Sequence, residues 1–414
     1  MNKLWRSGMI LSIAGLLTGV GNYVFQGLIG RQLSKEEYGY VNTTIGFMGL
    51  LGLPLLIATT AVTHHIAHFR ASEDHGRLRG LLLGCRTFLL RLTIVGSLLA
   101  VLLVKPLSDF FHFPRSSLML VAVSCVIASM WGSLATALCQ GMSWFKRLAF
   151  IGLASVGLRL AFGWFSTEEH PVAEAAVLAT GFALLANLVL LYWRKELFGH
   201  GEAVSPWDKQ FIQFLVASTA CVGGGYCFTQ GDLLVAQRNF QGDEIGVYSA
   251  AALLARALPM VVGPLLVVLF TSRSGRREGD IVKEQFRLLG LYTLGLICGA
   301  VALFIMRSFC VKLIFGKEST EAAAMIARLA ITMVFVGLLQ AVAMWALASR
   351  WLKSALLYGG LGVGYWLILL KYGASPQRLI ELMPMASGIA FGILFTIWAI
   401  STKSVTNNDK QRLP

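Results

Sequence analysis

The sequence has few charged residues and no long polar segment. Of its 414 residues, 14% are Asp, Glu, Lys or Arg, whereas soluble globular domains contain about 25%. Hydrophobic residues make up 56% of the chain, and the mean hydropathy is +0.69. These values exclude a soluble globular protein and predict an all-α polytopic membrane protein.

About twelve apolar runs have the length of a transmembrane helix, since roughly 20 helical residues cross about 30 Å of hydrocarbon. The loops between them are short, so the chain has no room for a soluble catalytic domain. The runs are approximately 8–29, 41–62, 81–104, 117–139, 148–165, 172–192, 211–236, 246–270, 286–306, 323–348, 353–370 and 382–400.

Motifs of several enzyme classes are missing. There is no Walker A pattern, so ATP is not expected to be the direct energy source. No histidine lies within a predicted span, which disfavours an acyltransferase with an intramembrane His base. The seven cysteines have no paired spacing and are interpreted as small packing residues. The HHxxH stretch at His64–His68 lacks a nearby carboxylate or Cys, so we interpret it as an interfacial helix end and expect no metal or cofactor.

The net charge of +14 does not indicate a nucleic-acid partner, because the basic residues follow the predicted topology. Lys and Arg concentrate in the segments that are cytoplasmic if the N-terminus is cytoplasmic, which is the positive-inside bias. We therefore predict a multi-pass protein of the cell (inner) membrane with both termini in the cytoplasm. The basic stretch from Thr271 to Arg287 is interpreted mainly as an orientation signal in contact with lipid headgroups.

An internal repeat divides the chain into halves. Arg31–Val41 reads RQLSKEEYGYV, and 207 positions later Arg238–Tyr248 reads RNFQGDEIGVY. This offset predicts two parallel six-helix lobes, 1–200 and 201–414, joined by the polar linker Arg194–Lys209. In transporter folds of this kind the substrate binds between the repeats, so a central cavity is expected.

The repeat also places polar residues within predicted spans. Shifting span one by 207 positions extends span seven through Gln230 and Asp232, and span one itself contains Asn22 and Gln26. Polar side chains at such depth usually face a bundle interior or a watery cavity. Asn22, Gln26 and Gln230 are therefore candidates for substrate binding, and hydrogen bonding between helices is the alternative.

Arginines within the spans are the strongest site candidates, since each costs roughly 2.5–3.5 kcal/mol at a helix centre. Arg256 lies near mid-membrane, Arg159 lies about two-thirds along its span, and Arg328 lies nearer the outer end. A guanidinium fork suits phosphate and pyrophosphate, which predicts an anionic cargo. The alternative is a buried structural ion pair. Asp232 and Glu174 are the candidates for pairing an arginine or for coupling to an ion gradient.

Two stretches resemble a known family. The first, GRQLSKEEYGYVNTTIGF at the junction of spans one and two, is similar to the L-x-x-E-E-Y-G-x-Y/V junction of polysaccharide transporters. The second, Asp232–Pro259, resembles the same family's motif at spans seven and eight. The family is the oligosaccharide flippase (Wzx-like) group of the multidrug/oligosaccharidyl-lipid/polysaccharide exporter superfamily. The residues that match its motifs are Glu37, Tyr38, Gly39, Asp232, Gly246 and Tyr248.

The resemblance implies a flippase for a polyprenyl-pyrophosphate-linked oligosaccharide that serves surface polysaccharide synthesis. Family members have two six-helix lobes around a cationic cavity and work by alternating access, and the matching motif residues are mainly structural. Partners would be the lipid-linked oligosaccharide, membrane lipids and a polysaccharide polymerase or glycosyltransferases. Alternatives are a small-molecule or multidrug exporter of the same superfamily, a membrane-bound polysaccharide-modifying enzyme, and a transport-inactive scaffold.

Overall fold

A computed structural model describes residues 3–113, 115–192, 209–263, 278–316, 319–348 and 352–410. Thirteen α-helices and no strand occur in these ranges. The helices are α1 (Lys3–Gln32), α2 (Lys35–Ala71), α3 (His75–Phe110), α4 (Ser116–Gly141), α5 (Phe145–Glu169), α6 (Ala173–Tyr192), α7 (Lys209–Asn239), α8 (Asp243–Val262), α9 (Glu278–Ile305), α10 (Arg307–Phe315), α11 (Thr320–Ala348), α12 (Leu352–Tyr372) and α13 (Pro376–Lys410).

The predicted apolar runs fall on these helices, one run to each of twelve. By length and hydropathy, seven single helices of the described ranges qualify as membrane spans. An eighth span is obtained if α9 and α10 count together, although their axes differ by 75° at the break between Ile305 and Arg307. The prediction of an all-α polytopic membrane protein is confirmed. Residues 264–270 at the end of the predicted run 246–270, residues 194–208 of the linker and residues 271–277 of the basic stretch lie outside the described residues.

The chain forms two compact units, Met1–Leu215 and Val216–Pro414. One helix end recurs at the 207-residue offset, since Gln32 ends α1 and Asn239 ends α7. The assignment of lobes to 1–200 and 201–414 stays a prediction.

Glycines allow α1 and α5 to pack closely in the first unit. A Cβ atom at Gly163 of α5 would lie 2.5 Å from Cε2 of Phe25, which is fully buried on α1. Gly21 of α1 faces Val156 of α5 in the same way. Small residues are common where membrane helices approach each other closely. This explains why α5 can place its side chains against α1.

The equivalent pair in the second unit, α7 and α12, uses the same device. A Cβ atom at Gly224 would lie 2.8 Å from Cα of Gly359, and one at Gly362 would lie 2.5 Å from Cα of Gly224. A side chain at Gly223 would meet nothing within 4 Å. Gly224 therefore allows α7 and α12 to pack closely.

Prolines lie within helices without ending them. Pro54 lies within α2, which runs from Lys35 to Ala71, and Pro259 lies in the last turn of α8, which ends at Val262. Pro264 lies outside the described residues.

Candidate functional site

A buried ion pair joins α7 to α8 in the second unit. Asp232 of α7 is 0% exposed, and Nη2 of Arg256 on α8 lies 2.6 Å from Oδ1 and 2.7 Å from Oδ2 of this carboxylate. The hydroxyl of Tyr248 donates a second hydrogen bond to Oδ2 at 2.6 Å. Tyr248 and Arg256 are eight residues apart on α8, about two helical turns, so both reach the same side. The carboxylate charge is balanced within one helix pair.

Asp232 pairs with an arginine, which is one of the two roles that the sequence predicted for it. A charge buried in low dielectric needs a hydrogen-bonded partner of opposite sign. Arg256 supplies it, and its side chain is only 11% exposed. Nη2 of Arg256 is therefore already bonded to a carboxylate. The role of Arg256 in binding an anionic cargo stays a prediction. Its Nε is buried without a hydrogen-bond partner among the described residues.

Arg159 on α5 has different surroundings. Its Nη1 donates to Oδ1 of Asn22 on α1 at 2.8 Å, and its Cζ lies 4.1 Å from the ring centroid of Phe25. No carboxylate of the described residues forms an ion pair with Arg159, and its Nε is buried without a partner. A neutral amide and an aromatic face stabilise a cation only partly. Among the described residues of the first unit, the positive charge of Arg159 therefore stays uncompensated.

The other polar candidates of α1 and α7 differ in their contacts. Gln26 is 8% exposed, and its Oε1 has no hydrogen-bond partner in the described part of the chain. Gln230 on α7 is partly buried. The structure thus unites Asn22 with Arg159 and Asp232 with Arg256. The contact of Asn22 with Arg159 spans 137 residues, and the sequence analysis did not predict it.

Glu174 belongs to a second cluster, where α2, α4 and α6 begin. Nη2 of Arg115, just before α4, lies 2.8 Å from both carboxylate oxygens of Glu37, and its Nε lies 2.9 Å from Oε1 of Glu174. The backbone N–H of Ala173 donates to Glu37 at 2.6 Å, and the hydroxyl of Ser117 donates to Glu174 at 2.8 Å.

The sequence did not lead us to predict that Arg115 bridges the two carboxylates of this cluster. One indication was present in the sequence, since Glu37 and Glu174 each lie in the first turn of a helix. Carboxylates are favoured there by the unpaired N–H groups and the helix dipole. The cluster explains the first copy of the repeated turn as a structural junction, as the family resemblance implied.

Arg328 lies in an exposed position of α11. Its Nη1 lies 3.0 Å from Oε1 of Glu381 on α13, and the two side chains are 50% and 53% exposed. Glu381 lies 207 residues after Glu174, so the two acidic residues are equivalent in the repeat. This open pair separates Arg328 from the buried arginines, and its role in substrate binding stays a prediction.

Within the described ranges, no three or more His, Cys, Asp or Glu side chains form a group that could hold a metal ion. The side chains of His64 and His68 in the HHxxH stretch lie outside them. All seven cysteines are free thiols, and Cys125, Cys139 and Cys221 are buried.

No protein-family model matches the chain. No curated protein matches it either. Solved structures do match, at low sequence identity. An inward-facing multidrug resistance MATE family transporter of the MOP superfamily superposes with a TM-score of 0.71 at 12% identity, covering 96% of this chain and 99% of that one.

Two further structures are similar over most of their length. Lipid II flippase MurJ in an inward closed conformation has a TM-score of 0.69 at 12% identity, covering 94% of this chain and 87% of that one. A MOP superfamily transporter from Pyrococcus furiosus has a TM-score of 0.61 at 11% identity, covering 97% of this chain and 96% of that one. This chain has the fold of these transporters, as the family resemblance predicted.

Proposed function

We propose that the protein is a flippase of the multidrug/oligosaccharidyl-lipid/polysaccharide exporter superfamily. Its cargo would be a polyprenyl-pyrophosphate-linked oligosaccharide, moved across the cell membrane by alternating access for surface polysaccharide synthesis. The fold supports a transporter, and one protein with this fold, MurJ, is named for a lipid-linked substrate. The predicted cytoplasmic termini and a polymerase or glycosyltransferase partner belong to the same proposal.

The observation that carries the proposal is the uncompensated charge of Arg159. Its guanidinium contacts Asn22 and Phe25, whereas no described carboxylate pairs with it. Desolvated cations are retained in membranes mainly where they serve a function. A pyrophosphate offers two oxygens to the guanidinium fork of Arg159. It also brings the negative charge that no described residue supplies to this side chain.

The buried carboxylate argues against a cationic drug as the cargo. An exporter of organic cations needs an acidic group that is available to its substrate. Asp232 is the fully buried carboxylate of the described residues, and Arg256 and Tyr248 already hold it. The multidrug transporter with the same fold nevertheless makes drug export the second candidate, and it is tested below.

A binding experiment on the purified full-length protein in detergent tests the role of Arg159. The probes are polyprenyl pyrophosphate and the uncharged polyprenol of the same length. Arg159→Gln should weaken pyrophosphate binding roughly 10- to 100-fold, because a hydrogen bond to a charged group contributes about 1.5–3 kcal/mol. Binding of polyprenol should not change.

Arg147→Gln is the matched control, because it removes one positive charge from an exposed residue of the same helix. Its affinity for both probes should equal that of the wild type. Equal affinities of Arg159→Gln and wild type for polyprenyl pyrophosphate would exclude Arg159 as the anion ligand.

A cellular experiment distinguishes the two candidate cargoes. The gene should restore surface polysaccharide in a strain that lacks its lipid-linked oligosaccharide flippase, and Arg159→Gln should not. If it instead raises resistance to cationic drugs and restores no polysaccharide, the multidrug alternative is correct. Altered linkage or acylation of the polysaccharide would indicate the membrane-bound enzyme.

A further inference from the structure

We infer that Gln26 recognises the first sugar of the cargo by accepting a hydrogen bond from a hydroxyl or acetamido N–H group next to the pyrophosphate. The inference rests on the proposed function, since it deepens the site of Arg159. It assigns to α1 a contact that selects a sugar-bearing lipid over the bare lipid pyrophosphate.

The first observation is the unpaired side chain of Gln26. It is 8% exposed, and its Oε1 has no hydrogen-bond partner among the described residues. A buried acceptor without a partner costs about as much as the hydrogen bond it lacks. Such a group is stabilised when a ligand supplies the missing donor.

The second observation is the position of Gln26 beside Arg159. Asn22 and Gln26 are four residues apart on α1, so they lie on one side of the helix about 6 Å apart along its axis. Asn22 already touches Nη1 of Arg159 at 2.8 Å. The unpaired acceptor therefore lies one turn from the unpaired cation, in the direction of the C-terminal end of α1. A pyrophosphate held by Arg159 would carry its first sugar within reach of this turn.

The repeat shows that packing does not require glutamine here. The residue 207 positions after Gln26 is Leu233, which is 2% exposed in the apolar core of the second unit. The residue equivalent to Asn22 is Thr229, whose hydroxyl donates to the carbonyl of Gly225 in its own helix at 2.8 Å. The unpaired amide oxygen of Gln26 thus belongs to the unit whose buried arginine has no carboxylate partner among the described residues.

The test measures how strongly the purified protein distinguishes sugar-bearing lipids from the bare one. The probes are polyprenyl pyrophosphate and the same lipid carrying glucose, galactose or N-acetylglucosamine. The wild type should bind at least one sugar-bearing probe about fivefold more tightly than the bare lipid, the factor for one neutral hydrogen bond. Gln26→Met should bind both kinds of probe with the affinity that the wild type has for the bare lipid.

Gln140→Met is the control, because Gln140 is a partly buried residue of α4 whose amide makes only a 3.4 Å hydrogen bond with Thr63. It should keep the wild-type preference for the sugar. Gln26→Leu is a second test variant, because leucine is the residue at the equivalent position of the second unit, Leu233. It should lose the preference for the sugar as Gln26→Met does.

The outcomes separate this inference from the proposed function. If the wild type binds bare polyprenyl pyrophosphate and shows no preference for any of the three sugars, the inference is wrong and the proposed function stands. The same holds if Gln26→Met and Gln26→Leu keep the preference. If the wild type binds no pyrophosphate lipid at all, the proposed function fails and the inference fails with it.

Discussion

The two units each bury an arginine, and the described contacts of the two side chains differ in charge: one set is neutral and the other includes a carboxylate. In the second unit Arg256 faces the carboxylate of Asp232. In the first unit Arg159 faces the ring of Phe25. Phe25 and Asp232 are equivalent in the repeat, since their numbers differ by 207. One position on the first helix of each unit thus receives a guanidinium, over an aromatic ring in one case and a carboxylate in the other.

The guanidinium comes from a different helix in each unit. Arg159 belongs to α5, and its equivalent in the second unit is Trp366, whose Nε1 donates to the carbonyl of Gly231 at 3.2 Å. Arg256 belongs to α8, and its equivalent is Gly49 of α2. The buried arginines are therefore not copies of one ancestral site. One closes an ion pair within its unit, and the other leaves a positive charge available.

The largest expected effect is on the stability of the second unit. Arg256→Leu leaves the fully buried Asp232 without its cation, and we expect a loss of about 3–5 kcal/mol in the free energy of unfolding. The measurement is unfolding of the purified protein in mixed micelles by increasing SDS. If Arg256 instead binds the cargo, as the sequence predicted for the arginines within the spans, a variant at this position would lose transport at normal protein levels.

The double variant Asp232→Leu/Arg256→Leu is the control, because a buried pair replaced by apolar residues often costs little. It should recover most of the lost stability. Full stability of the single variant would show that the ion pair contributes nothing to the fold, and the contrast between the units would then disappear.

A smaller effect is expected where the helices begin. Arg115→Met leaves the carboxylates of Glu37 and Glu174 facing each other without their shared cation, which should cost about 1–2 kcal/mol at this partly exposed site. In the second unit the equivalent of Glu174 is Glu381, and Arg328→Met breaks its pair, whose members are both about half exposed. It should cost less than about 1 kcal/mol. Equal losses in the same SDS titration would contradict the tighter junction of the first unit.

The helices were predictable because their physical signal is strong. About twenty apolar residues in succession specify a membrane helix whatever their partners are. Each of the twelve runs accordingly lies on a helix over its described part. The repeat offset located the polar end of span seven, since Asp232 lies within α7. The short helix Arg307–Phe315 and its 75° bend were not predicted. Its nine residues are too few for a membrane-length signal.

The pairing of the arginines was not predictable from composition. Residue type showed that each arginine is costly in a membrane. The guanidinium fork of these arginines predicted an anionic cargo. Which arginine is compensated depends on contacts across 24 residues for Asp232 and Arg256 and across 137 residues for Asn22 and Arg159. Such contacts depend on helix packing, for example at Gly163, and no local pattern contains them. The roles of both arginines in cargo binding stay predictions.

The smallest expected effect comes from a substitution that gives Arg159 a carboxylate partner, as Arg256 has in the second unit. Asn22→Asp is isosteric and places a carboxylate 2.8 Å from Nη1 of Arg159, where the amide oxygen now lies. The stronger, charge-assisted bond should stabilise the protein by about 1 kcal/mol in the SDS titration. Polyprenyl pyrophosphate must then compete with that carboxylate, so its affinity should fall. Asn22→Ser, which adds no charge, should give no such gain in stability. If Asn22→Asp stabilises the protein and binds pyrophosphate as well as the wild type does, the free charge of Arg159 is not what holds the cargo.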